Sequence, residues 1–411
     1  MNINNIQMIR AIKFFTANII LLSAIAHAAN NNTNLSLYTL VQNYDGLISG
    51  VIFLLIVLWF IAIHIYDNHY IVYKSIHKPI DSDHMPKEVI KFIKIRILNT
   101  QNIPVNPKFQ QKITFSLYKY KKYLPLYFNI LFLDQNHKPI YSWLENPDAK
   151  NMNYIYWLLL ENGLQQSSGI DIYVAFIEKT SNKYSKYIGA LQSNGAQLLD
   201  NGNIIFDLYK NFKTGIDTTF EESNDVQYEL KNYGIKITQG ALFSKNPIYN
   251  PSEKILESCQ TFSYKSKCIP SCIALSSSKY ISEENKNNDS IVMFLANKKD
   301  RGINIQAFAA DGTKDSDKFN IQSNMNLINL KSPNTIILGI LSTGEQIIEC
   351  INYELKFKTN AIINRAHYII IGSAEGILSQ KTDILPLTIY WIRTRQIPPN
   401  NIMPIVSIID D

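Results

Sequence analysis

From residue 112 onward, apolar and polar side chains alternate along most of the chain, which is the period of a strand with one face in a core. Ile113, Phe115 and Leu117 share a face, and the runs 127–133 and 139–143 flank Asp134-Gln135-Asn136-His137-Lys138, which predicts a hairpin. Val226, Tyr228 and Leu230 then face Ile235 and Ile237 across Lys231-Asn232-Tyr233-Gly234, a second hairpin. Strands are also expected over 170–177 and 204–209.

Helical spacing interrupts this pattern twice in the first half. Asp148 after Pro147 is placed to cap a helix in which Met152, Ile155, Tyr156, Leu159 and Leu160 recur, and Asn162-Gly163 ends it. A second helix is expected over 181–199, broken at Asn194-Gly195. Residues 109–245 therefore read as an α+β domain. The polar stretch 244–253, with Pro247 and Pro251, is the linker candidate. Beyond it come short strands at 291–296, 303–310, 335–341, 345–357, 367–371 and 385–393, separated by turn signals. Residues 246–395 thus predict a mostly antiparallel, sandwich-like β domain. The tail 396–411, with Pro398, Pro399 and Pro404, is expected to be extended.

The first hundred residues follow a different rule. Arg10 and Lys13 precede the short apolar run 14–25 and then Ala26-His27-Ala28, the layout of a signal peptide over 1–28. A polar segment, 29–46, follows with Asp45 as its single charge. Residues 47–66 carry no Asp, Glu, Lys or Arg and place Trp59 and Tyr66 toward the far boundary, as a single transmembrane helix does. The near flank holds no Lys or Arg, whereas Lys74 and Lys78 open the basic juxtamembrane segment 67–108. The charge asymmetry predicts an exterior amino-terminal tail and a cytoplasmic body at a bacterial inner membrane; a periplasmic or extracellular body is the alternative. Within 87–98 two patterns compete. Lys87, Lys91, Lys94 and Arg96 are membrane-surface candidates on a basic amphipathic helix, but Ile93-Lys94-Ile95-Arg96-Ile97 alternates as a strand. The fold class expected is α+β and β-rich, behind a signal peptide and one transmembrane helix.

Composition adds limits. With 411 residues, 46% of them hydrophobic and 18% charged, the chain has ample material for packed cores. A net charge of +6, or +4 once Arg10 and Lys13 leave with the leader, is too weak to predict a nucleic-acid partner. Cys259, Cys268, Cys272 and Cys350 are too few for a disulfide scaffold, yet they are disulfide candidates if the body is exported, Cys259 with Cys268 or Cys272 above all. Their spacing lacks the tight pair of a zinc knuckle. His64, His69, His77 and His84 crowd the membrane exit without a ligand spacing, so no metal or other cofactor is expected.

Catalytic motifs fail at specific residues. Ala309-Ala310-Asp311-Gly312-Thr313 partly matches a phosphatase motif but has alanine where the nucleophilic aspartate belongs. Ser116 with Lys119, and Lys213-Thr214-Gly215, match two parts of the penicillin-binding set without the third. Gly372-Ser373-Ala374-Glu375-Gly376 misplaces the serine of a nucleophile elbow. The expectation is a membrane-anchored, non-catalytic component of a cell-envelope assembly, with lipid and other envelope proteins as partners. A tethered enzyme with scattered catalytic residues and an exported binding protein are the alternatives.

Overall fold

The computed structural model describes residues 85–116, 128–146, 153–178, 182–190, 199–247, 254–265, 267–278, 290–299, 302–310, 326–330, 334–342, 346–359, 367–373 and 383–409. All of these fall within one compact unit, Val72–Asp411. The expected signal peptide, polar segment and transmembrane helix lie outside them, as do the four clustered histidines. Among the described residues no helix is long and apolar enough to cross a membrane.

The alternation resolves into four sheets. The first, of five strands, runs β24 (Ile405–Ile409), β1 (Val89–Leu98), β7 (Gly169–Glu178), β3 (Phe128–Leu133), β4 (Pro139–Ile140). The second, of four, runs β2 (Phe109–Ser116), β6 (Asn153–Leu160), β5 (Ser142–Leu144), β8 (Ile188–Ala190). The third, of seven, runs β10 (Phe220–Glu222), β13 (Ala241–Ser244), β22 (Tyr368–Ser373), β15 (Ser271–Ser276), β16 (Ile291–Lys299), β17 (Gly302–Ala310), β18 (Asn326–Leu330). The fourth, of eight, runs β11 (Gln227–Lys231), β12 (Gly234–Gln239), β23 (Asp383–Gln396), β14 (Lys254–Phe262), β19 (Ile336–Ser342), β20 (Ile347–Ile351), β21 (Glu354–Thr359), with β9 (Leu208–Lys210) also on β23. The described strand pairings are antiparallel except that of β5 with β8, and two isolated bridges, Gly189 with Leu199 and Ile269 with Ile384, are also parallel.

Two sandwiches result. Ile93, Ile95 and Ile97 of the first sheet meet Ile113, Phe115, Leu158 and Leu160 of the second in one core. Leu242, Ile273, Phe294 and Ile305 of the third sheet meet Leu256, Ile340, Ile347 and Ile389 of the fourth in another. The second and fourth sheets then pack through their outer faces, because Trp143, Trp157 and Leu159 share a third cluster with Cys259 and Trp391. The layers therefore stack in the order first, second, fourth, third.

Several expectations are corrected. The helix placed over 148–162 gives way to β6, in which Tyr156, Leu158 and Leu160 enter one core and Trp157 and Leu159 the other. A strand buried on both faces is apolar nearly throughout, so its hydrophobic positions also satisfy a helical count. Part of the second expected helix is a 3-10 turn, Asn182–Tyr187, running into β8. Residues 191–198 lie outside the description. The first half is thus β rather than α+β. Its only described α-helix is the single turn α1 (Gly202–Ile205). The sheets do not change hands at residue 245, since β9 to β13 already belong to the third and fourth sheets. The tail returns to pair with β1 as β24, Ile97 opposite Val406.

Candidate functional site

The seam between the second and fourth sheets holds the densest set of charged side chains among the described residues. Strand alternation builds it. On β23, Ile392 points into the sandwich core, so Trp391, Arg393 and Arg395 point out of it. On the neighbouring β14, Glu257 lies directly opposite Arg393 and Cys259 opposite Trp391. From the other sheet, Trp157 of β6 is paired with Trp143 of β5 on one side and Lys112 of β2 on the other. Glu145 follows β5 and is fixed by its backbone N–H, which donates to Ile155 O at 2.9 Å. Tyr353 arrives from the β20–β21 turn, where it and Asn352 both take positive φ values.

Arg393 is fully buried at the centre. Its Nε donates to Glu257 at 2.8 Å, and its Nη2 lies 2.7 Å from Glu257 and 2.9 Å from both Glu145 and the Tyr353 hydroxyl. Glu257 accepts a further bond from Arg395 Nε at 2.9 Å. Glu145 accepts from Trp157 Nε1 at 2.7 Å and from the Tyr353 hydroxyl. Four aromatic rings surround the guanidinium: its Cζ lies 4.2 Å from the Trp391 ring centroid, 4.3 Å from Trp157, 4.5 Å from Phe206 and 5.4 Å from Trp143. Arg393 Nη1 has no hydrogen-bond acceptor, and the rings around the guanidinium supply cation–π attraction to the group as a whole.

Electrostatics follows from this enclosure. Burial alone would raise the Glu257 pKa, but Arg395 and Arg393 outweigh it and hold the carboxyl below its ordinary range. Burial works against the Arg393 charge too, yet Tyr353, Glu257 and Glu145 raise its pKa further. The Tyr353 hydroxyl is pushed well up by burial and by Glu145. Lys112 Nζ sits 3.5 Å above the Tyr353 ring, and burial lowers its pKa to about 8 against the pull of Glu145 and Glu257. Beside this cluster Asp200 accepts from Trp143 Nε1 at 2.9 Å, the Tyr209 hydroxyl at 2.9 Å and Asn211 Nδ2 at 2.8 Å. Gln110 spans the same seam, donating to Ile205 O at 3.0 Å and accepting from Gln396 N at 2.9 Å. Each carboxylate of the seam is engaged by several donors. The bonds of Arg393 and Tyr353 to Glu145 join the fourth sheet to the second.

The residues singled out from sequence lie elsewhere. Lys94 and Arg96 both grip Asp171 across β1 and β7, at 2.8 and 2.6 Å, so of the two patterns competing over 87–98 the chain adopts the strand, and these two charges pair within their own sheet. Lys87 is exposed just before β1, and Lys91 lies on it. All four cysteines are free thiols. Cys259 faces the seam whereas Cys272 lies on the outer side of the third sheet, so these two point away from one another across a whole sandwich. Cys350 is two strands from Cys259, about 9–10 Å at ordinary strand spacing and beyond disulfide reach. Burial pushes the Cys272 thiol up to about 12 and that of Cys350 to about 11. No cluster of metal-ligating side chains occurs among the described residues. Ser116 ends β2 exposed, and Asp311 and Lys119 lie outside the description.

Sequence reasoning passed over Glu145, Glu257, Arg393, Arg395, Lys112 and Tyr353. The available signal was Trp391-Ile392-Arg393-Thr394-Arg395, two arginines on the face opposite a core residue in a strand whose other positions are mostly apolar.

No family model matches the chain. A curated relative, "Uncharacterized protein 562" of Sulfolobus islandicus rod-shaped virus 1, is 30% identical over 135 residues, which is 32% of this chain and 24% of that protein. The chain thus matches about a quarter of that relative's length. Among solved structures, a Bacillus licheniformis β-glucanase is 12% identical over 46% of this chain and 97% of its own, with a TM-score of 0.32. LamAcat from Zobellia galactanivorans gives 12%, 46%, 97% and 0.35 in the same order. An alginate lyase from Pseudomonas aeruginosa gives 11%, 44%, 87% and 0.31. At such TM-scores these likenesses carry no argument about this chain.

Proposed function

We propose that the chain is a non-catalytic component of a membrane-bound protein assembly, of the secretion or transport type, whose β-rich body offers binding surfaces beside a bilayer. Residues 47–66 are the anchor in this reading, behind the leader 1–28, and the body lies on the cytoplasmic side. The observation that carries it is the closure of the seam: Glu145, Glu257 and Arg393 are all buried and bonded to one another. The strongest constellation of titratable groups thus joins layers instead of facing a substrate. The relative from a Sulfolobus virus adds an archaeal or viral surface to the bacterial inner membrane as a setting to search.

The test is solubilisation of native membranes in mild detergent after crosslinking. A complex containing a second, different protein in fixed ratio is expected. Finding no crosslinked partner other than further copies of this chain would contradict the reading, as would a chain starting at Ala29 that stays in the aqueous fraction without detergent.

A further inference from the structure

We infer that β11 is a self-association edge, on which a second copy of this chain adds its own β11 antiparallel across a two-fold axis with Leu230 opposite Leu230. Among the described strands β11 closes the fourth sheet on one side, paired with β12 alone. Residues Gln227 to Leu230 are exposed throughout, an unusual state for a strand that carries Tyr228 and Leu230. Both are cross-strand partners of core residues, Tyr228 of Ile237 and Leu230 of Ile235, so they continue the core face to its margin, where the Tyr228 hydroxyl still reaches Glu222 of the opposing sheet at 3.1 Å. Tyr233 at the hairpin tip is exposed as well but leans on Tyr390 of β23, 5.5 Å between ring centroids, away from the open edge.

Backbone geometry and charge select the occupant and the register. The two-residue turn Asn232-Tyr233 closes on the pair Lys231 and Gly234, which points the Lys231 backbone groups toward β12. Gly234 is required there, since a Cβ would lie 2.0 Å from Ile389 O. By alternation the N–H and C=O of Leu230 and Tyr228 point to the open edge. Two copies centred on Leu230 therefore exchange a pair of backbone hydrogen bonds at the axis. That register sets Glu229 of each copy opposite Lys231 of the other, so the ion pair within each chain becomes a square of four alternating charges. Shifting the centre to Glu229 sets two carboxylates face to face, which disfavours it. A strand that is complementary in charge to its own reversed copy fits a second copy of itself.

The experiment is sedimentation equilibrium on the full chain, in detergent if its anchor demands it, up to about 0.1 mM. Wild type is expected to dimerise, with E229K and K231E each weakening the dimer by about tenfold or more through like-charge contacts. An equimolar mixture of E229K with K231E should dimerise again, because each copy then supplies the charge the other lacks, and the double variant E229K/K231E should match wild type. Both positions are on the surface, so melting temperatures of the separate variants, taken at concentrations where wild type is monomeric, should match wild type and exclude misfolding. A monomeric wild type overturns the proposal, as do dimers that ignore all the charge changes or a mixture that stays monomeric.

Discussion

Two carboxylates and four aromatic rings converge on Arg393, so its replacement has definite consequences. Substitution by methionine leaves Glu145 and Glu257 buried without their shared cation, and a loss of about 3–5 kcal/mol is expected in urea unfolding. Lysine should rescue little, since an ammonium cannot supply the planar fork that meets both acids while stacking on the rings. The variant E145Q/R393M should lose less than R393M alone, because Glu145 is stranded without the cation whereas Glu257 keeps Arg395. Lys112 offers a titration: with its pKa near 8, amine acylation followed by mass spectrometry should reach half its limiting rate near pH 8, well below an ordinary lysine. Glu349 on β20 shares a face with Ile347 and Ile351 inside the second sandwich, and both its oxygens lack a hydrogen-bond partner. Burial raises its pKa well above the ordinary carboxyl value. The folded state therefore holds this proton more tightly than the unfolded chain. Its contribution is complete below about pH 4.3 and is lost as pH rises toward the folded pKa. The stability advantage of E349L over wild type should accordingly grow with pH above that point; an advantage that stays flat would mean the carboxyl is not held protonated.

At the scale of elements, β24 makes the first sandwich depend on the far end of the chain. Its Val406 and Ile408 pack against the core that contains Ile95 and Phe176, and its backbone covers the edge of β1. A chain ending at Gln396 should expose that edge, and limited proteolysis should then cut within 85–190 before it cuts the second sandwich. The hairpin β11–β12 was legible because period-two alternation and a two-residue turn are local facts, and the registers Tyr228 with Ile237 and Leu230 with Ile235 follow from them. The strand β6 was not, because burial on both faces erases the polar positions that mark a period. The role of β24 was hidden for another reason: its partner β1 lies some three hundred residues away, and nothing within 396–411 specifies it. The seam shares that difficulty. Glu257 opposite Arg393 needs the register of β14 on β23, and Glu145 needs the packing of two sheets that only the finished fold brings together.

For the molecule as a whole, the four layers define one body if the seam holds. Aromatic packing at Trp143, Trp157 and Trp391 and the ion network around Arg393 span the same interface, and Gln110 ties its margin to the end of β23. A body of that kind suits the binding component proposed above, whereas two loosely joined sandwiches would not. Native-state hydrogen exchange on the intact chain measures this most directly. Amides of β6 and β23 on either side of the seam should exchange through one common opening with the same denaturant dependence. If those of β6 open at markedly lower free energy while β23 stays protected, the sandwiches are independent and the seam does not join them.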